Sequence, residues 1–284
     1  MRSLIERNLK VFFRDRTSVF FSLLAVLMIL LLYMLFLGDV MMSDFRGVPG
    51  AKALSDSWIM SGILAVISVT TVLGAFGTMV DDRAHHIIKD FSASPLSRGK
   101  LAGSYIVSAF TVGALMTLLA FALSEAYIVA RGGTPLSLAQ TGAMIALIFL
   151  SALSNTAMLA FLVSFLKSQT AFGTASSLVG TLIGFLAGIY LPVGMLPSAI
   201  QMLVKLVPVS HAALLMRNVM MAAPMKEVFA GAPDATAAAF ENSMGLSYSI
   251  GGTEISAVVS VLILVCAAVL FYALSILRFA KKEK

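Results

Sequence analysis

The sequence predicts an all-α polytopic membrane protein: six transmembrane helices, an N-terminal interfacial helix, a short cytoplasmic helix between the second and third spans, and a re-entrant helical hairpin on the outer face. Three observations carry that reading. Of 284 residues, 59% are hydrophobic and 12% charged, against about 45–50% and about 25% in soluble domains, which excludes a soluble globular enzyme as the default. The stretches 18–37, 57–80 and 255–277 contain no Asp, Glu, Lys or Arg. The basic residues also divide unevenly between the two faces that six spans create.

A bilayer core about 30 Å thick needs roughly 20 residues of helix, because lipid offers backbone N–H and C=O groups no partners. Six segments meet that length: 18–37, 57–80, 101–126, 141–166, 170–191 and 255–277. None carries Asp, Lys or Arg near its middle, where each would cost roughly 2.5–3.5 kcal/mol. The first exceeds a signal-peptide core of about 7–15 residues and no small-residue cleavage site follows it. It is read as a span. With both ends on one side, fourteen of the twenty Lys and Arg fall on that face and six on the other; acidic residues divide six and eight, so the faces carry +8 and −2. The termini are therefore expected in the cytoplasm. The single cysteine, Cys266, lies in the last span, which leaves no intrachain disulfide.

Residues 1–17 read as an amphipathic helix. Leu4, Ile5, Leu9, Phe12 and Phe13 share one side of a helical wheel, with Arg7, Lys10 and Arg14 opposite, the pattern of a helix lying in the headgroup plane. It serves as an anchor, or also touches a cytoplasmic partner. The loop 81–100 is the most charged stretch and longer than the two to eight residues (roughly) that join helices. Ile87, Ile88 and Phe91 recur at helical spacing, Asp81 and Asp82 suit a helix N-terminus, and Ser94-Pro95 stops the pattern. Outside, 192–221 is too apolar for a free loop, with Lys205, His211 and Arg217 its only ionisable groups. It is read as short helices dipping back into the outer leaflet, where irregular backbone is tolerated if protein covers it. The stretch 222–254, rich in Ala, Gly and Ser, is expected to be the least ordered, and 278–284 is a basic cytoplasmic tail.

Chemistry is sparse. A phosphate-binding G-x-x-x-x-G-K-[ST] is absent, the one Gly-Lys pair being Gly99-Lys100 before Leu101. His85 and His86 follow Asp81 and Asp82 by four residues, but adjacent histidines diverge by about 100° on a helix and no cysteine is near, which favours an exposed polar helix over a metal site. His211 lies on the opposite face, so no Ser-His-Asp arrangement forms. Glu125 is the only ionisable group within a span; near the outer end of the third, it is expected to face headgroups by Arg131, with a substrate path as the alternative. Ser176, Gly180, Gly184 and Gly188 line one stripe of the fifth span, which lets a second helix approach closely, in this chain or in a second copy.

Taken in order, these features resemble the membrane subunits of ABC-2 type exporters. Arg7-Asn8-Leu9-Lys10 through Phe13-Arg14-Asp15-Arg16 resembles the interfacial connecting helix. Asp82-Arg83-Ala84-His85-His86-Ile87-Ile88-Lys89-Asp90-Phe91-Ser92-Ala93-Ser94-Pro95-Leu96-Ser97-Arg98 resembles the cytoplasmic coupling segment with its Ser-Pro-x-Ser/Lys-Arg ending. Tyr190-Leu191-Pro192-Val193-Gly194-Met195-Leu196-Pro197, followed by Val207-Pro208-Val209-Ser210-His211 and Arg217, resembles the outward re-entrant hairpin. Many relatives have Glu-Arg-x-x-Gly-Thr in the coupling segment, where this chain has His86-Ile87. The resemblance implies a type V exporter-like half-transporter, in which two permeases, identical or paralogous, join separate ABC ATPase subunits that bind ATP and Mg. It implies coupling roles for Asp82, Arg83, His86, Lys89, Asp90, Ser94, Pro95 and Arg98, and packing or a dimer axis at Gly180, Gly184 and Gly188. This chain would hold no cofactor and no metal, catalyse nothing itself, sit in the cell membrane and bind no nucleic acid. The rival readings are a secondary transporter, a membrane scaffold and an intramembrane enzyme.

Overall fold

A computed structural model describes residues 1–17, 19, 20, 24, 28, 31, 48–88, 97–250 and 253–280. Most of the predicted span 18–37, the coupling positions Lys89, Asp90, Ser94 and Pro95, the Arg98 side chain and the last four residues lie outside the described set. The described elements are α1 (Arg2–Arg14), α2 (Ala51–Ala84), α3 (Arg98–Ala130), α4 (Leu138–Val163), α5 (Gln169–Leu186), a 3-10 turn (Val193–Met195), α6 (Ser198–Leu206), α7 (Pro208–Met220), α8 (Ala222–Val228), α9 (Asp234–Met244), strands β1 (Ser249–Ile250) and β2 (Thr253–Glu254), and α10 (Ala257–Ala280).

Four of these, α2, α3, α4 and α10, are long and apolar enough to cross a membrane, and α6 with α7, bent by 88°, form a broken span or a re-entrant loop. The chain is a multi-pass helical membrane protein. α5 is shorter than the predicted 170–191: its helix ends at Leu186, and Gly188, at φ +65°, turns the chain back. That backbone region costs glycine nothing and other residues about 1–2 kcal/mol.

α2 is the hub. At 34 residues it runs about 51 Å, well past the predicted 57–80, so both ends project beyond a bilayer core. Its apolar window is 89% buried, against 17% for α10. A helix apolar all round must be enclosed by protein or lipid, and α2 is enclosed by protein: α3, α4, α5, α7 and α8 all pack on it. It approaches α3 closely at Gly113, where an added Cβ would lie 2.3 Å from Val72 Cγ2. Asn155 of α4 donates to Ser68 of α2 at 2.9 Å. Such interhelical bonds contribute about 0.6 kcal/mol on average in membranes.

Helix starts follow the sequence. Ser97, Ser137 and Ser168 each accept a backbone N–H of the first turn, and Ser137 with Gln140 completes a capping box. The stretch 222–254 differs from expectation, forming α8, α9 and a small antiparallel pair in which Ser249 faces Glu254. Its alanines favour helix, and Met244 and Leu246 join the main core. Replacement Gly113→Val is expected to destabilise the α2–α3 seam by about 1–3 kcal/mol, read as a lowered melting temperature of the purified chain; an unchanged melting temperature would refute this close packing.

Candidate functional site

Asp81 and Asp82 do not open a new helix. They occupy the last turn of α2, the end where the helix dipole disfavours negative charge, and each is answered by a partner from another element. Asp82, 1% exposed, accepts from both terminal nitrogens of Arg7 on α1, one of them at 2.7 Å, and from the Tyr105 hydroxyl of α3 at 2.6 Å. The carboxylate in turn holds the Arg7 guanidinium more firmly protonated than usual. Asp81 accepts from Gln169 at the start of α5 at 2.9 Å and pairs with His85. Arg83 reaches the other way, donating to the Leu166 carbonyl at 2.8 Å just past the end of α4, where a cation suits the dipole. One turn of α2 thus ties together α1, α3, α4 and α5.

This arrangement corrects the reading of α1 in part. Phe12 is buried as the helical wheel requires, but Arg7 turns inward to Asp82, leaving Lys10 and Arg14 exposed. Lys10 pairs with Glu6 at 2.8 Å and holds that carboxyl below its usual range. Beside them runs an open groove of about 600 Å³ lined by Ser3, Glu6, Arg7, Lys10, Val11 and Arg14. His86 is exposed and left-handed, at φ 61°, where the chain leaves α2. Among the described residues no cluster of three His, Cys, Asp or Glu is placed to hold a metal.

The hairpin of α6 and α7 is built around prolines. Pro192 precedes the 3-10 turn, Pro197 precedes α6, and Pro208 opens α7, where its missing N–H has no helical partner to lose. Val207 before it is extended, as a residue before proline prefers, and this produces the 88° bend. His211, fully buried, lies 2.8 Å from the Lys205 carbonyl through Nε2 and 3.1 Å from Ser260 Oγ through Nδ1. A carbonyl can only accept, so Nε2 carries the proton, and α6, α7 and α10 are joined at one imidazole. Arg217, also fully buried, stacks on Trp58 of α2 at 4.9 Å and donates Nη2 to the carbonyls of Ala187 and Gly188 at 2.7 and 3.1 Å.

Two expectations change. The glycine stripe is divided: the Tyr190 ring covers Gly184, where a Cβ would meet it at 2.2 Å, Gly188 lies beyond the helix, and Gly180 meets nothing within 4 Å. Glu125 is not beside Arg131 as a partner. It accepts from the Leu136 N–H at 3.1 Å, while Arg131 pairs with Asp56 at 2.9 Å. Tyr105, Trp58 and Asp56 were not singled out in the sequence; a lone tyrosine, a single tryptophan and an acid each at the end of an apolar run were the available signals.

Residues 51–277 match the model of the ABC-2 family transporter proteins. The chain belongs to that family. No curated protein matches it. The ABC-2 family transporter is therefore a membrane permease of an ABC transporter, and its family implies partnership with an ABC ATPase. Members are typically the non-catalytic membrane subunit.

In the ABC-2 permease, Asp82→Asn is expected to cost about 1–3 kcal/mol, because it removes the charge and puts an NH₂ donor in place of one of the two oxygens that accept from Arg7 and Tyr105; the figure stays moderate because Arg7 is one-third exposed. A double variant with Arg7→Met should cost less than the sum of the two singles. Additive losses of melting temperature would show that the two side chains do not interact.

Proposed function

We propose that this chain is the permease of an ATP-driven exporter in the cell membrane, crossing it six times with both termini cytoplasmic. Two permeases, identical or paralogous, work with separate ATPase subunits that bind ATP and Mg. The observation that carries the reading is the last turn of α2, where Asp81, Asp82 and Arg83, at the start of the coupling segment, grip four other helices. A load applied to residues 85–98 by an ATPase would pass into α1, α3, α4 and α5 together, because ion pairs and short hydrogen bonds transmit displacement with little slack.

Two further observations support the assembly. On α5 only Ile183 and Gly184 are buried, and Leu178 and Leu182 are more than half exposed, which leaves a face free for the second permease at Gly180. The membrane-crossing helices present apolar side chains through their middles, which fits an amphiphilic or apolar cargo better than a charged one.

A mild-detergent pull-down of the tagged chain is expected to recover an ABC ATPase in near-equal amount with a second permease. The purified assembly should hydrolyse ATP, and Asp90→Lys should release the ATPase while the permease remains folded. Recovery of the chain alone under crosslinking would overturn the reading.

A further inference from the structure

We infer that the seam between the C-terminal ends of α4 and α10 is a binding site for an anionic phospholipid of the phosphatidylglycerol class, whose phosphate is held by Arg278 and Lys167. The Arg278 guanidinium lies over the Phe165 ring at 4.9 Å. Phe165 is itself set edge-on against Phe161 at 5.0 Å, and Phe161 packs on Phe271 of α10 at 5.9 Å. These rings join the two helices and fix the plane of the guanidinium. A guanidinium held by its face keeps its N–H donors around the rim, and among the described residues no acceptor meets them. Lys167, two residues past Phe165, is also exposed and has no partner among the described residues.

Cations at helix ends can simply answer the dipole, but here that need is met. A C-terminus presents only about half a negative charge, and the end of α4 already has Arg83 on the Leu166 carbonyl. No acidic residue occurs in 138–169 or 255–280. Asp81, which reaches this end of the bundle, is engaged by Gln169 and His85. Positive charge is therefore left over at the rim of a surface that is otherwise apolar: Ile276 and Leu277, beside Arg278, are 52% and 63% exposed, and only 17% of the α10 window is buried. Such a face is covered by lipid acyl chains, which brings a headgroup phosphate to the level of the two cations. The guanidinium fork matches two phosphate oxygens and the ammonium adds a point charge. A zwitterionic lipid carries its own cation and gains less from the pair than one with net negative charge. The site rests on the membrane-spanning fold and not on the transport reading, and phosphate lies at both headgroup levels, so it holds for either orientation of the chain.

The experiment is native mass spectrometry of the full chain in mild detergent, titrated with equal amounts of phosphatidylglycerol and phosphatidylcholine. The expected result is retention of phosphatidylglycerol about ten-fold above phosphatidylcholine, falling to about two-fold in the double variant Lys167→Gln, Arg278→Gln. Both positions are exposed, so the melting temperature in phosphatidylcholine should not change. Removing the same charge from the end of α1, by Arg14→Gln with Arg16→Gln, is expected to leave the preference intact. Phe165→Leu keeps both cations but takes away the ring that orients the guanidinium, and should lower the preference by about three-fold. Inorganic phosphate at the lipid's concentration should displace nothing. Equal retention of the two lipids by the wild type, a full preference in the double variant or in Phe165→Leu, an equal loss in the α1 variant, or displacement by inorganic phosphate would overturn the proposal.

Discussion

A carboxylate buried at the wrong end of a helix organises one half of this permease, around the C-terminal end of α2. Asp82 sits in the final turn of α2, where exposed carbonyls already carry negative partial charge, and it is cut off from water. Such a group is stable only if positive charge and hydrogen-bond donors are brought to it. Arg7 and Tyr105 supply them, and meeting that requirement docks α1 against α2 and α3. Arg83, one residue on, satisfies the opposite need at the end of α4. The node therefore follows from electrostatics as much as from apolar packing.

The N-terminal end of α2 presents the complementary problem. Trp58 and Asp82 are 24 positions apart, about 36 Å of helix, and Trp58 lies under a buried cation where Asp82 is a buried anion. Between them α2 is almost wholly apolar and enclosed, with Ser68 binding it to Asn155 and Ser151 of α4 by polar groups. A rigid, well-packed rod with a polar anchor at each end is suited to carry displacement from one membrane face to the other. The hairpin's own ties, His211 to Lys205 and Ser260, keep that anchor attached to α10.

Much of this was legible in the residues. The apolar runs located the α2, α3, α4 and α10 spans because hydropathy and length are local properties. Pro197 and Pro208 marked the hairpin's breaks, since the ring's lost N–H acts on its own segment. The serine caps before α3, α4 and α5 are equally local. Helix ends were less well read: Asp81 and Asp82 resemble a first turn by composition, and only their partners explain why they close α2 instead. Residues 222–254 were underestimated because their small side chains gain order from a core that other segments build.

The sequence by itself determined a polytopic helical membrane protein, an amphipathic N-terminal helix, an apolar proline-broken hairpin and the family these compose, because each depends on periodicity, length or short-range backbone chemistry. Tertiary structure alone decided that Arg7 faces Asp82 and not the headgroups, that Tyr190 fills the space at Gly184, and that Arg217 lies on Trp58 with no carboxylate partner among the described residues. Those pairings join residues 75, 6 and 159 positions apart. Charge and shape complementarity act through space, and a linear pattern records which groups need partners without recording which partners they meet.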